Sequence, residues 1–103
     1  MNENLLNKIK EIKENLAVDG FQVKGVFGSY VRGDENNNSD IDILYDIDNE
    51  FRSKYIGFNA VKRLDDIQKI ISDYLGINAD LVQKQSLGSI SAKYILSEVY
   101  YVD

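Results

Sequence analysis

The chain has 103 residues, 44% of them hydrophobic and 11% aromatic; that is material for one compact domain over 1–103 and fits neither a disordered nor a fibrous polypeptide. It has no cysteine and no histidine, which excludes disulfides, thiolate metal sites, imidazole general bases and Ser-His-Asp triads together. A formal net charge of −5 argues against direct nucleic-acid binding through phosphate contacts. The charge is unevenly placed. Seven acids (Asp34, Glu35, Asp40, Asp42, Asp46, Asp48, Glu50) fall between residues 34 and 50 with no lysine or arginine, while the other 86 residues carry ten acids against twelve bases. Such a block invites cations, although solvated acidic loops give the same composition. No apolar run approaches the ~18 residues of a membrane span, and the start lacks a basic segment followed by an apolar one. The expectation is a soluble, cytoplasmic protein away from membranes.

In chain order, Leu5, Leu6, Ile9, Ile12 and Leu16 recur at steps of three and four and predict an amphipathic helix over 3–17, stopped at Asp19-Gly20. Residues 21–27 alternate and are rich in aromatic and β-branched types, which predicts a strand ending abruptly at Gly28-Ser29. Tyr30 to Ser39 reads as a short helical turn and then a polar loop. Ile41, Ile43, Tyr45 and Ile47 alternate with Asp40, Asp42, Leu44 and Asp46 in a second, two-faced strand. The longest helix is expected from about Ser53 to Leu75, burying Phe58, Val61, Leu64, Ile67, Ile71 and Tyr74, with Gly76 as its stop. A short strand over 77–82, a helix over 89–96 and a closing strand over 99–102 complete an αβ(α)βαβαβ order. The fold class is α/β (α+β), a small mixed sheet with helices packed on it.

Two short motifs can carry chemistry. Backbone N–H groups at a strand-to-helix turn bind anions, and a glycine there admits a phosphate closely, so Gly28-Ser29 is a candidate phosphate cradle; an ordinary turn has the same sequence. Asp40 and Asp42 are two apart on a strand, roughly 7 Å at Cα by strand rise, and leave the same face. A shared divalent cation accounts for that repulsive placement, and a solvated strand start is the bland alternative. Asp46 lies ~13 Å beyond Asp42 along the strand, too far for the same ion; with Asp48 it reads as strand-end solvation. The seven tyrosines read as core and sheet-surface residues rather than catalysts.

Taken together, Gly28-Ser29, ten intervening residues and Asp40-Ile41-Asp42 resemble the signature of the DNA polymerase β-like nucleotidyltransferases, with Arg32-Gly33 and Ser39 between them and Ile41 and Ile43 alternating through the strand. More narrowly, nearly the whole chain resembles the minimal nucleotidyltransferase (MNT) antitoxins of HEPN ribonuclease toxins, and Asp80 in Ala79-Asp80-Leu81-Val82 stands where those proteins carry a third carboxylate. The loop Asp34–Ser39 lacks the proline common there, which is expected to alter mobility rather than chemistry. The resemblance implies AMP transfer from ATP to a tyrosine of the HEPN toxin. Asp40, Asp42 and Asp80 would be catalytic and hold two Mg²⁺ ions, and Gly28, Ser29, Arg32 and Ser39 would contact the nucleotide. For Arg32 the alternative is a surface counter-charge to the acidic loop. Two other functions stay open: an antitoxin acting by binding alone, and a small-molecule nucleotidyltransferase of the aminoglycoside-modifying kind. With no second domain to hold an acceptor, a partner protein or second subunit, in a homo- or hetero-oligomer, is expected to supply it.

Overall fold

A computed structural model describes residues 1–102. Its elements are α1 (Glu3–Ala17), β1 (Phe21–Phe27), α2 (Ser29–Arg32), β2 (Ile41–Ile47), α3 (Asn49–Lys54), α4 (Phe58–Leu75), β3 (Ala79–Gln83), a 3-10 turn (Lys84–Ser86), α5 (Ser89–Glu98) and β4 (Tyr100–Tyr101). The four strands form one mixed sheet in the order β3-β2-β1-β4. β1 runs antiparallel to β2 and β4, while β2 and β3 are parallel, as the long helical crossover between them requires. Among the described residues no helix is long and apolar enough to cross a membrane.

The main core lies between one sheet face and the pair α1 and α4. Ile9, Ile12 and Leu16 of α1 meet Ile67, Ile71 and Leu75 of α4 above Val23, Val26, Ile41, Ile43 and Tyr45. Each strand residue here alternates with one that points to the opposite face. α1 begins where Asn2 accepts from the Asn4 and Leu5 backbone N–H groups, satisfying donors that an open helix start leaves unpaired. β1 shifts register between Val23 and Gly25, the bulge that a lone glycine inside a strand signals. A Cβ on Gly25 would lie 2.5 Å from the Tyr100 carbonyl oxygen, so this position admits β4 to the sheet edge.

The expected single helix over 53–75 is two helices. Asp48 starts α3 by accepting from the Phe51 N–H at 3.1 Å, so it is a helix cap rather than strand-end solvation. The chain breaks at Tyr55–Gly57, and α4 begins only at Phe58. The expected buried stripe also fails at its ends, with Phe58 92%, Val61 58% and Tyr74 38% exposed. Steps of three lose about 60° of rotation each at about 100° per residue, so Phe58 faces away from Ile67, nine residues later. The true stripe runs through Leu64, Ile67, Ile71 and Leu75. Asp46 accepts from the Gln85 N–H at 3.4 Å and ties β2 to the 3-10 turn. The remaining differences are boundary shifts: β3 starts at Ala79, α5 extends to Glu98, and Val102 leaves β4 to become a buried core residue.

Candidate active site

The face of the sheet opposite the main core carries Asp42. Its register partner on β1 is Phe27, directly before Gly28, and its partner on β3 is Asp80. Residues paired across neighbouring strands share a face, so three chain segments far apart in sequence bring Gly28, Asp42 and Asp80 side by side. Asp40 stands just before β2 and is exposed, as is Asp80, whereas Asp42 is half-buried. Leu44, next on the same face, is fully buried. The face is therefore closed beyond Asp42 and open at it.

Burial pushes the Asp42 carboxyl above the usual carboxylate range, the charges of Asp80 and Asp40 push it further, and only Arg32 opposes them. No group of three acidic side chains among the described residues stands at the spacing of a ligand cluster. The donor set is nonetheless all carboxylate oxygen, without nitrogen or sulfur, and two of its members adjoin in register. That chemistry suits a hard divalent cation such as Mg²⁺ and no soft metal.

Gly28 sits between β1 and α2 with φ +86° and ψ −154°, backbone that essentially only glycine adopts. A Cβ there would fall 2.1 Å from Asp42 Oδ2. The bare glycine is thus required first by the Asp42 carboxylate, a contact that no sequence spacing could show. Ser29 opens α2 and is half-buried beside it; the first N–H groups of a helix lack intrahelical acceptors and are available to an anion.

Arg32 is ion-paired at the surface. Its Nε lies 3.3 Å from Asp34 and its Nη1 3.3 Å from Glu98 of α5, all three exposed. The Glu98 contact was not legible beforehand, since nothing local links residues 66 apart. Ser39 closes the acidic loop on itself, its Oγ accepting from the Asn36 N–H at 2.9 Å. A polar cavity of about 430 Å³ lies beside Asp40, walled by residues 35–39 and Gly76–Asn78. It flanks the Asp42–Asp80 face without including it. Among the tyrosines, Tyr45 stacks on Phe21 in the core with ring centres 4.6 Å apart, while Tyr94, Tyr100 and Tyr101 are exposed.

The nucleotidyltransferase domain family matches residues 3–101, nearly the whole chain. The chain belongs to that family. The nucleotidyltransferase is 38% identical over 93 residues to the protein adenylyltransferase MntA of Thermococcus cleftensis, spanning 90% of this chain and 83% of that protein. Its fold matches a solved candidate minimal nucleotidyltransferase at TM-score 0.70 and 23% identity, covering 97% of this chain and 95% of that one. It also matches a chain from a complex of tri-AMPylated Shewanella oneidensis HEPN toxin with MNT antitoxin at TM-score 0.65 and 18% identity, covering 100% and 72%. The mixed sheet expected from sequence is therefore the fold of known nucleotidyltransferases, and the chain is a nucleotidyltransferase enzyme.

Proposed function

We propose that this nucleotidyltransferase moves AMP from ATP to a tyrosine hydroxyl of a HEPN ribonuclease toxin and thereby acts as its antitoxin. The observation that carries the reading is the row Phe27–Asp42–Asp80 across three adjacent strands, with Gly28 directly after Phe27 and against Asp42, at the open part of the sheet face. The relatedness to a protein adenylyltransferase supports the reaction class, and the fold shared with an antitoxin chain bound to an AMPylated toxin supports the partner.

Asp42 and Asp80, with Asp40 at the rim, would hold two Mg²⁺ ions, which when bound stabilise charge on the attacking and leaving oxygens of an in-line displacement. Gly28 and Ser29 bind the β- and γ-phosphates through backbone N–H groups and the serine hydroxyl, and so hold the triphosphate across the carboxylate row. Asp80, exposed beside Asp42, accepts the phenol proton, a role that no histidine is present to take. The phenolic oxygen forms a bond to the α-phosphorus, the bond to the bridging oxygen breaks, and pyrophosphate leaves. Ser39 supports this arrangement by fixing the loop that leads into Asp40.

Intact mass spectrometry of the toxin, co-expressed with the chain, tests the reading. Each transfer adds about 329 Da, the covalent adenylyl increment. A toxin silenced without added mass would instead identify an antitoxin that works by binding alone.

A further inference from the structure

Asp80 reaches the site only because β3 enters the sheet in one register, and side chains of α4 hold that register. Ser72 and Gln68 are one turn apart on α4 and half-buried. The Ser72 hydroxyl accepts from the Ala79 backbone N–H at 2.9 Å and donates to the Gln68 carbonyl at 2.7 Å. The Gln68 amide donates to the Ala79 carbonyl at 2.9 Å and also stands 3.1 Å from Ser72 Oγ and 3.2 Å from Asn78 Oδ1. Both backbone groups of Ala79 are thus taken by α4. The carbonyl of Asn78 in turn accepts from the N–H of Ile41 at 2.9 Å, the residue between Asp40 and Asp42.

β3 is an edge strand, and the outward N–H and C=O of an edge residue ordinarily have no partner in the sheet. Here they are fixed at the residue immediately before Asp80. A slip of one residue would turn Asp80 to the core face and Ala79 to the site face. We infer that Ser72 and Gln68 are positioning residues whose clamp on Ala79 sets the register of β3 and so keeps Asp80 beside Asp42. The inference rests on the proposed role of Asp42 and Asp80 as metal ligands.

The test is Mn²⁺ binding to the full chain, followed by electron paramagnetic resonance, with circular dichroism as the check on folding and Ala79 amide exchange as a direct report on the clamp. Ser72→Ala should fold, exchange faster at Ala79 and bind Mn²⁺ roughly 10–100-fold more weakly, the usual range for losing an outer-shell support. Ser72→Thr retains the hydroxyl and should restore both. With the protein acceptor present, the loss should appear in kcat more than in the KM for ATP. If Ser72→Ala proves unfolded, Gln68→Leu removes the other arm and should weaken Mn²⁺ binding in the same way. Asp80→Asn separates the two readings. If it weakens Mn²⁺ binding and folded Ser72→Ala does not, the clamp has no positioning role and the inference is overturned. If Asp80→Asn leaves Mn²⁺ binding untouched, Asp80 is not a ligand, and the ligand reading fails together with the inference.

Discussion

Asp42 is the residue on which fold and chemistry compete most directly. Its folded pKa is raised by burial and by Asp80 and Asp40, so the folded state prefers the protonated form. The cost to stability is absent below the unfolded carboxylate pKa, grows as pH rises between the unfolded and the higher folded value, and is complete above the latter. Asp42→Asn should therefore leave thermal stability level or higher at pH 7 in metal-free buffer, with any gain vanishing in acid, while AMP transfer falls by orders of magnitude. A melt showing clear destabilisation at pH 7 would make the aspartate structural. Wild-type activity should also fall on acidification earlier than an ordinary carboxylate would allow, because protons compete for the ligand. Gly28 is tied to the same carboxylate. Gly28→Ala puts a side chain into backbone that costs about 1–3 kcal/mol and drives Asp42 from its place. It should lose Mn²⁺ affinity as well as ATP affinity by calorimetry, whereas Ser29→Ala should weaken ATP alone, by roughly 1.5–3 kcal/mol at most. Gly28, Ser29, Asp40 and Asp42 stand out as candidates in the sequence because their spacing is local. That spacing could not show that Gly28 makes room for Asp42, which depends on the pairing of β1 with β2.

Elements were legible where a core-facing period ran between clear stops. α1, β1 and β2 span the residues their patterns predict, each with a glycine or aspartate after its end, and neither the bulge at Gly25 nor the burial of Leu44 on the opposite face moves those bounds. Over 48–75 the pattern and the structure part, because apolar residues at steps of three resemble a stripe while winding around the helix, and because Asp48 stands as one more acid in an acidic run. The parity of Asp80 needed the β2–β3 register, which no window within β3 contains. The junction that replaces the expected single helix has its own anchor at Asp19. Its carboxylate accepts from the Tyr55 hydroxyl at 2.8 and 2.9 Å and from Arg63 Nε at 2.9 Å, joining the end of α1 to both α3 and α4. Burial alone would raise its pKa, but the bonds from Tyr55 and Arg63 and the nearby positive charges bring it below the ordinary value of 3.8. The stabilisation is therefore fully present above that value and lost as pH falls through the lower folded one. Asp19→Asn should cost about 1–3 kcal/mol in urea unfolding at pH 7, and the gap to wild type should close in strong acid. A constant gap across pH would mean that the charge contributes nothing.

At the scale of the whole molecule, the proposed reading makes the open carboxylate row the place where a partner protein presents its acceptor. Proximity can supply ~7–11 kcal/mol of a barrier, and a half-open sheet face cannot by itself hold a phenol in line. Purified chain should turn over ATP slowly or undetectably, and pyrophosphate release should rise sharply when the cognate toxin with its acceptor tyrosine is added. Efficient transfer to an aminoglycoside or other small alcohol without a protein partner would overturn the antitoxin reading. α5, which buries no residue and presents Ile90 and Tyr94 at 75% and 74% exposure, is the element whose packing the sequence left least determined. The division of the sheet into a helix-covered face and a carboxylate face has a practical consequence. Because the residues that hold the chain folded are largely separate from those that react, chemistry can be deleted without deleting shape. An Asp42→Asn chain is thus a ready-made bait: it should recognise its target, fail to modify it, and remain bound long enough to be isolated with the natural acceptor still attached.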